Sequence, residues 1–206
     1  GVTTASELYD WNTSALVQRH LVDSGQMISP RLYTVGMSIG GYNEEVLGMK
    51  TAEQAQALVD RRLRRGASYV KTYQSANRRV RQWVAQAAAK RGVSHTAGHD
   101  SFFQFVSYGI DGLPGFEHSI REIPGYRDMT EFMGRAKMTL VPTLIPKHYF
   151  RPKHSLSEDP KYRRFFPKAI LMEWQAESTL MNQSRPDLAK ADFNHFLYAQ
   201  TTADII

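Results

Sequence analysis

The sequence predicts an α/β fold of parallel strands, closed as an incomplete (β/α)8 barrel of about six units or laid out as an open doubly wound sheet. Short β-type runs alternate with amphipathic helical patterns, and successive runs begin at Gly1, Arg31, Ser68, Val93, Gly115 and Met138, 22 to 37 residues apart. That interval holds a strand and a crossover helix, whereas an antiparallel hairpin needs only a few connecting residues. In addition, no Gly-x-Gly-x-x-Gly follows any run, so the dinucleotide-binding form of the open sheet lacks its phosphate loop. A full barrel takes about 250 residues. The 206 residues here hold six or seven units, and the first and last strands are expected to be missing.

Each element rests on its own signal. Gly1-Val2-Thr3-Thr4 is the first β-type run, and Arg31-Leu32-Tyr33-Thr34-Val35-Gly36 the second. After a Gly-rich loop, Thr51 and Gln54 form a capping box, and Ala55, Leu58, Val59 and Leu63 follow at helical spacing as far as Gly66. Tyr69 to Tyr73 is the third strand. Ser75 is read as the cap of a helix whose stripe is Val80, Trp83, Val84, Ala87 and Ala88, and Val93 to Ala97 is the fourth strand. A short aromatic helix over 102–108, a fifth strand at Phe116-Glu117-His118, a helix through Met129, Phe132, Met133 and Ala136, and a sixth strand over 138–144 complete the repeats. One domain is expected, with strand-helix repeats over 1–146. Beyond Pro146 the pattern changes to a Pro-containing loop and two helices, over 162–181 and 188–199.

Composition narrows the class. With 42% hydrophobic and 22% charged residues the chain is too apolar to be disordered, and no run approaches the ~18 apolar residues of a membrane span. There is no Cys, so a metal would be held by His, Asp, Glu or a modified Lys. The net charge is +6, and the arginines cluster at 61, 62, 64 and 65 and at 78, 79 and 81. Because both clusters lie in amphipathic helix patterns, they are expected on solvated outer faces. Neither a nucleic acid nor a membrane is expected as a partner. The chain opens on Gly1 rather than Met, with no signal-peptide pattern, and is expected to be a segment of a longer protein.

In a parallel barrel, functional residues project from the C-terminal ends of the strands. Lys71 sits inside the third strand, His95 and His99 lie at and just past the end of the fourth, and His118 ends the fifth. A lone buried Lys or His is more often a hydrogen-bonded structural residue; the coincidence on three successive strands makes these candidates for one metal-binding rim. His20, His148, His154 and His195 lack such company. Trp83, Phe102, Phe103, Phe105, Met129 and Met133 are read as core. Strand alternation is expected to point Glu117 away from the His118 side.

These residues carry a resemblance. Val70-Lys71-Thr72-Tyr73, Val93-Ser94-His95-Thr96-Ala97-Gly98, Gly109-Ile110-Asp111-Gly112, Phe116-Glu117-His118-Ser119 and Val141-Pro142-Thr143-Leu144 together resemble the middle of an amidohydrolase-superfamily metal-dependent hydrolase. The imidazolonepropionase and prolidase-like branch, with its propeller-fused members, is the most similar, and the likeness runs to about Phe166. It implies a distorted TIM barrel with one or two divalent metals, zinc by expectation, at the strand C-termini. It implies further that Lys71 matches a lysine open to carboxylation that bridges two metals, and that His118 and either His95 or His99 are ligands. Tyr73 is placed to meet substrate. The first-strand His-x-His pair and the eighth-strand Asp of that family have no counterpart here, so no residue is assigned a catalytic role.

The expected function is the central part of a metal-dependent hydrolase of C–N bonds in amides or cyclic amides, inactive as an isolated segment. Its substrate would be a small-molecule or peptide-like amide. The alternative is a non-catalytic amidohydrolase-like interaction domain lacking a complete metal site. Open first and last strands predict self-association into a homo-oligomer.

Overall fold

The computed structural model of this chain describes residues 1–10, 12–40, 44–73, 77–98, 101–118, 126–141 and 160–184. Two compact units divide it, one of Gly1–Ile120 with Tyr126–Val141, the other of Arg121–Gly125 with Pro142–Ile206.

The first unit carries the repeats. Its elements are β1 (Thr4–Glu7), α1 (Ser14–Asp23), β2 (Arg31–Thr34), α2 (Glu44–Leu47), α3 (Ala52–Arg64), β3 (Val70–Thr72), α4 (Arg78–Lys90), β4 (His95–Gly98), α5 (Phe102–Ile110), β5 (Gly115–Glu117), α6 (Arg127–Ala136) and β6 (Thr139–Val141). All pairings are parallel, β1 with β2 and then β3-β4-β5-β6 in sequence order. Backbone bonds link the two sheets: Ser68 N–H donates to the Thr34 carbonyl at 2.7 Å. Ile39 bridges to β3 through its N–H on Lys71 O at 2.8 Å and its carbonyl under Tyr73 N–H at 2.9 Å. Parallel neighbours in chain order, each followed by a helix, make the wall of a (β/α) barrel and not a doubly wound sheet, whose strand order reverses.

Helix formation follows local chemistry. Thr51 and Gln54 make the expected reciprocal box at the start of α3, and the buried side of that helix is Ala55, Leu58 and Val59. Asn77 caps α4, accepting from Val80 N–H at 3.0 Å, in place of Ser75, which lies outside the described residues. Ser101 caps α5. The first strand begins at Thr4, three residues later than the β-type run, and α1 emerges from a stretch with weak periodicity. Its N-terminus is satisfied by Asp10, whose two carboxylate oxygens accept from Ser14 N–H and Ala15 N–H at 3.0 Å each.

Two apolar centres hold the helices to the wall. Ile39, Val46, Leu58, Val59, Val70, Val80 and Val84 pack together under α3 and α4. Phe105 lies fully buried against Phe116, ring centroids 4.7 Å apart, with Phe132 edge-on at 6.0 Å. There α5 and α6 approach so closely that a Cβ on Gly109 would sit 2.4 Å from Phe132 Cζ and 2.8 Å from Met138 Sδ.

The arginine clusters depart from expectation at two positions. Arg62 and Arg81 are buried. Arg81 lays its guanidinium over the Tyr108 ring at 4.8 Å and donates to Ser107 Oγ at 3.2 Å, so its position on α4 faces α5 and not solvent. Burial is tolerated because the aliphatic stem packs as an apolar group while the head finds an aromatic face and an acceptor.

In the second unit the described residues form α7 (Pro160–Phe165) and α8 (Lys168–Ser184). The single helix expected over 162–181 is broken because Pro167 has no N–H to donate and its ring blocks the preceding turn. Phe166 and Trp174 pack across the break at 5.0 Å. The helix expected over 188–199, the strand residues beyond Val141 and the loop from Lys147 lie outside the described residues. No described helix is long and apolar enough to cross a membrane.

Because Phe105 joins α5, α6 and β5, Phe105→Ala is expected to cost about 3–5 kcal/mol of stability. Urea denaturation followed by circular dichroism checks this, and a loss under 1 kcal/mol would mean that the aromatic centre is not packed as described.

Candidate functional site

The pairing register decides which residues share a face. Lys71 of β3 is level with Thr96 of β4, Thr96 with Gly115 of β5, and Gly98 of β4 with Glu117 of β5. Alternation therefore places Lys71, Thr96, Gly98 and Glu117 on one face of the wall, while Val70, Thr72, His95, Ala97 and Phe116 face the helices. The contacts agree. Thr96 Oγ1 donates to Glu117 Oε1 at 2.7 Å, and a Cβ on Gly98 would lie 3.9 Å from Lys71 Cε.

Lys71 and Glu117 are both 4% exposed. Burial pulls the Lys71 ammonium below its ordinary range, opposed by the charges of Glu117 and Glu7. Burial likewise pushes the Glu117 carboxyl up, opposed by its hydrogen bond from Thr96 and by Lys71. Each is drawn toward its neutral form by desolvation and toward its charged form by the other. The result is an amine and a carboxyl on one buried face whose proton affinities approach each other.

Aromatic groups close this face at the strand C-termini. Lys71 Nζ stands 5.4 Å from the Tyr73 ring centroid, and Tyr9, in the loop after β1, meets Tyr73 at 5.6 Å with the rings tilted by 53°. Tyr69, two residues before Lys71, hydrogen-bonds Ser6 on β1. A cavity of about 370 Å³ lies apart from Lys71, Tyr73 and Glu117, between β1 and α1, lined by Ala5, Glu7, Tyr9, Asp10, Ala15 and Gln18 among others.

His118 is the first residue after β5. Its N–H donates to Val141 O at 3.1 Å, and its φ is +74°. A non-glycine residue in the left-handed region leaves the strand alternation. His118 thus falls outside the alternation of β5, and Glu117 stands on the Lys71 face. Lys71 is the middle residue of β3, and His118 directly follows the end of β5.

His95 is placed elsewhere. Its register partner is Val70, its Nε2 is 3.0 Å from Thr72 Oγ1, and it is buried on the helix side of the wall. Nδ1 finds no partner among the described residues. Of the two fourth-strand histidines, then, His95 points away from Lys71, and His99 lies outside the described residues. His20 is exposed near the end of α1; His148, His154 and His195 lie outside the described residues.

Sequence reasoning missed Thr96 and Gly98, weighed Glu117 but set it aside, and missed Tyr9. The first three differ from His95 only in pairing parity, which a single strand does not reveal. Tyr9 carried no signal, because its ring meets β3 only across the barrel wall. Among the described residues no group of three or more His, Asp or Glu could hold a metal ion. Lys71 and His118 are two of the expected ligands, and a catalytic metal centre takes three protein ligands.

Solved structures resemble this chain in fold. A Xaa-Pro dipeptidase with bound methionine superposes with a TM-score of 0.59 and 15% identity, covering 92% of this chain and 52% of its own. The A. niger ochratoxinase gives 0.55 and 15%, over 92% of this chain and 50% of its own. Molinate hydrolase gives 0.63 and 12%, over 100% and 48%. What these structures share with the chain is the fold, a partial barrel of parallel strands alternating with helices. This barrel segment spans about half the length of those three structures. No protein-family profile and no curated protein matches the sequence.

His95 gives the barrel wall a specific acid sensitivity. Burial, and then the positive charge of Arg81, lower its pKa from 6.5 to about 3. The unfolded chain takes up this proton below pH 6.5 while the folded protein resists until about pH 3. The contribution is thus fully present above pH 6.5 and is lost as pH falls between those values, at up to about 1.4 kcal/mol per pH unit. His95→Gln is expected to flatten the fall in urea midpoint between pH 6.5 and 4.5, and an unchanged pH profile would contradict the neutral buried imidazole.

Proposed function

We propose that this chain is the central portion of a hydrolase of C–N bonds in amides or cyclic amides, and that the face carrying Lys71 forms its reaction chamber. The observation that carries this reading is the buried Lys71 in a parallel barrel strand, paired by register with the Thr96–Glu117 unit. The amidohydrolase fold supports it. A TIM-type barrel carries its chemistry at the strand C-termini; Gly98 ends β4, Tyr73 and His118 directly follow β3 and β5, and Lys71 is one residue before the end of β3.

In this reading Lys71 and His118 are the chain's contribution to a divalent metal centre whose remaining ligands lie outside the described residues, His99 being a further candidate. The bound metal would supply Lewis acidity and a more acidic bound water. The chain's own residues do the rest. Desolvation raises the neutral-amine fraction of Lys71, which is the form open to carboxylation. Thr96 holds the Glu117 carboxyl by a hydrogen bond on the face that also carries the amine, and Tyr73, beside Lys71 Nζ, meets the substrate. The propeller-fused branch suggested by the motifs belongs to this same proposal, as does assembly through the edge strands β1 and β6.

The test uses the full-length protein. Metal content by plasma mass spectrometry and hydrolysis of an N-acyl amino acid panel are expected to fall together in Lys71→Ala and His118→Ala, each by about 100-fold or more, beyond what an outer partner of a metal site costs. Full metal occupancy in both variants would overturn the assignment. Metal-free, inactive full-length protein of wild-type sequence would favour the interaction-domain alternative.

A further inference from the structure

We infer that Tyr108 of α5 is a positioning residue for the face that carries Lys71, acting through the backbone of Gly98. The inference rests on the hydrolase reading above and adds to it a group on the helix side of the wall that touches no reacting atom.

Gly98 is where the parts of that face meet. It is the last residue of β4 and is level with Glu117 of β5. The Tyr73 ring lies directly over it: a Cβ at position 98 would fall 2.9 Å from Tyr73 Cδ2, 3.1 Å from Cε2 and 3.9 Å from Lys71 Cε. Two side chains from the β3 segment therefore lie against the β4 backbone at this residue, with no side chain of its own between them. A displacement of Gly98 is passed directly to the ring beside Lys71 Nζ.

The group that holds this backbone comes from behind the wall. The Tyr108 hydroxyl donates to the Gly98 carbonyl at 2.8 Å in a buried bond that spans ten residues of chain. Because β4 ends at Gly98, the bond stands where the strand ladder stops. Its donor is itself held. Tyr108 is buried, the Arg81 guanidinium of α4 lies 4.8 Å over its ring, and Arg81 donates to Ser107 Oγ at 3.2 Å. A phenol packed under a guanidinium has little freedom to follow a moving carbonyl, so α4 and α5 together set the height of the β4 end. Without the hydroxyl the buried carbonyl loses this donor, and the strand end is free to move toward another. Displacements of about 1 Å at a reacting centre cost up to about 100-fold in rate.

The experiment uses the full-length protein and Tyr108→Phe, which removes the hydroxyl and keeps a ring under Arg81. Hydrolysis of the N-acyl amino acid panel, metal content and the Tyr73 ring signals are measured together, the last by NMR of tyrosine-labelled protein with Tyr73→Phe to assign them. Tyr108→Phe is expected to lower kcat per metal-loaded enzyme roughly tenfold or more and to shift the Tyr73 signals. Asp111→Ala controls for lost stability on the same helix. It strips the bonds from Arg78 and Gln82 to the C-cap of α5, and is expected to lower the urea midpoint while kcat and the Tyr73 signals stay as in the wild type. Arg81→Met, which loosens the ring but leaves the hydroxyl, is expected to give a smaller loss of kcat in the same direction and serves should Tyr108→Phe fail to fold. With an active wild type, unchanged kcat in Tyr108→Phe, an equal loss in Asp111→Ala, or Tyr73 signals that do not move overturns the inference and leaves the hydrolase reading standing. A full-length wild type that hydrolyses no amide removes that reading, whereas Tyr73 signals shifted by Tyr108→Phe in the same protein uphold the positioning role.

Discussion

The in-register parallel pairing of β3, β4 and β5 is the constraint on which the rest depends. Side chains on a strand alternate with a period of two, so a slip of one residue would exchange the two faces of a whole strand. With Lys71 level with Thr96 and Gly98 level with Glu117, the buried amine, the hydroxyl and the buried carboxyl arrive together on one side. The same register sends Val70, Thr72, His95 and Phe116 to the helices, where α4 and α5 close over them. Core and chamber are thus two outcomes of a single hydrogen-bond ladder.

That ladder also explains how the wall accommodates ionisable groups. Lys71 and Glu117 temper each other's desolvation across one face, and on the other His95 stays neutral and hydrogen-bonded to Thr72 while Arg81 finds Tyr108 and Ser107. An unpaired charge in such surroundings would be strongly destabilising. Near the surface the rule is ordinary: Asp60 of α3 is held down to about 2 by hydrogen bonds from Arg91 and Gln56.

The partial barrel is consistent at each level. Strand order follows chain order, every pairing is parallel, and the solved structures that share the fold are about twice as long. The wall leaves β1 and β6 with one neighbour each among the described strands. Local signals that survive in the fold are those satisfied by near neighbours: the Thr51–Gln54 box, the stripes of α3 and α4, and the approximate positions of all six strands. Those that shift do so for equally local reasons. Pro167 splits one helix into two, and Asn77 takes the capping role because its side chain reaches Val80 N–H.

The sequence by itself determined the α/β rhythm, the parallel connections and the prominence of Lys71, because hydrophobic period, caps and repeat length are written within a few residues of one another. Only the tertiary structure decided which strand residues share a face. His95 and Thr96 are adjacent in the chain, and either fits the inward position; the ladder to β3 and β5 gives it to Thr96 and pairs Thr96 with Glu117. It also brought Tyr9 to Tyr73 across more than sixty intervening residues and laid the Tyr73 ring over Gly98. Such contacts depend on long-range register, which no single segment of the chain encodes.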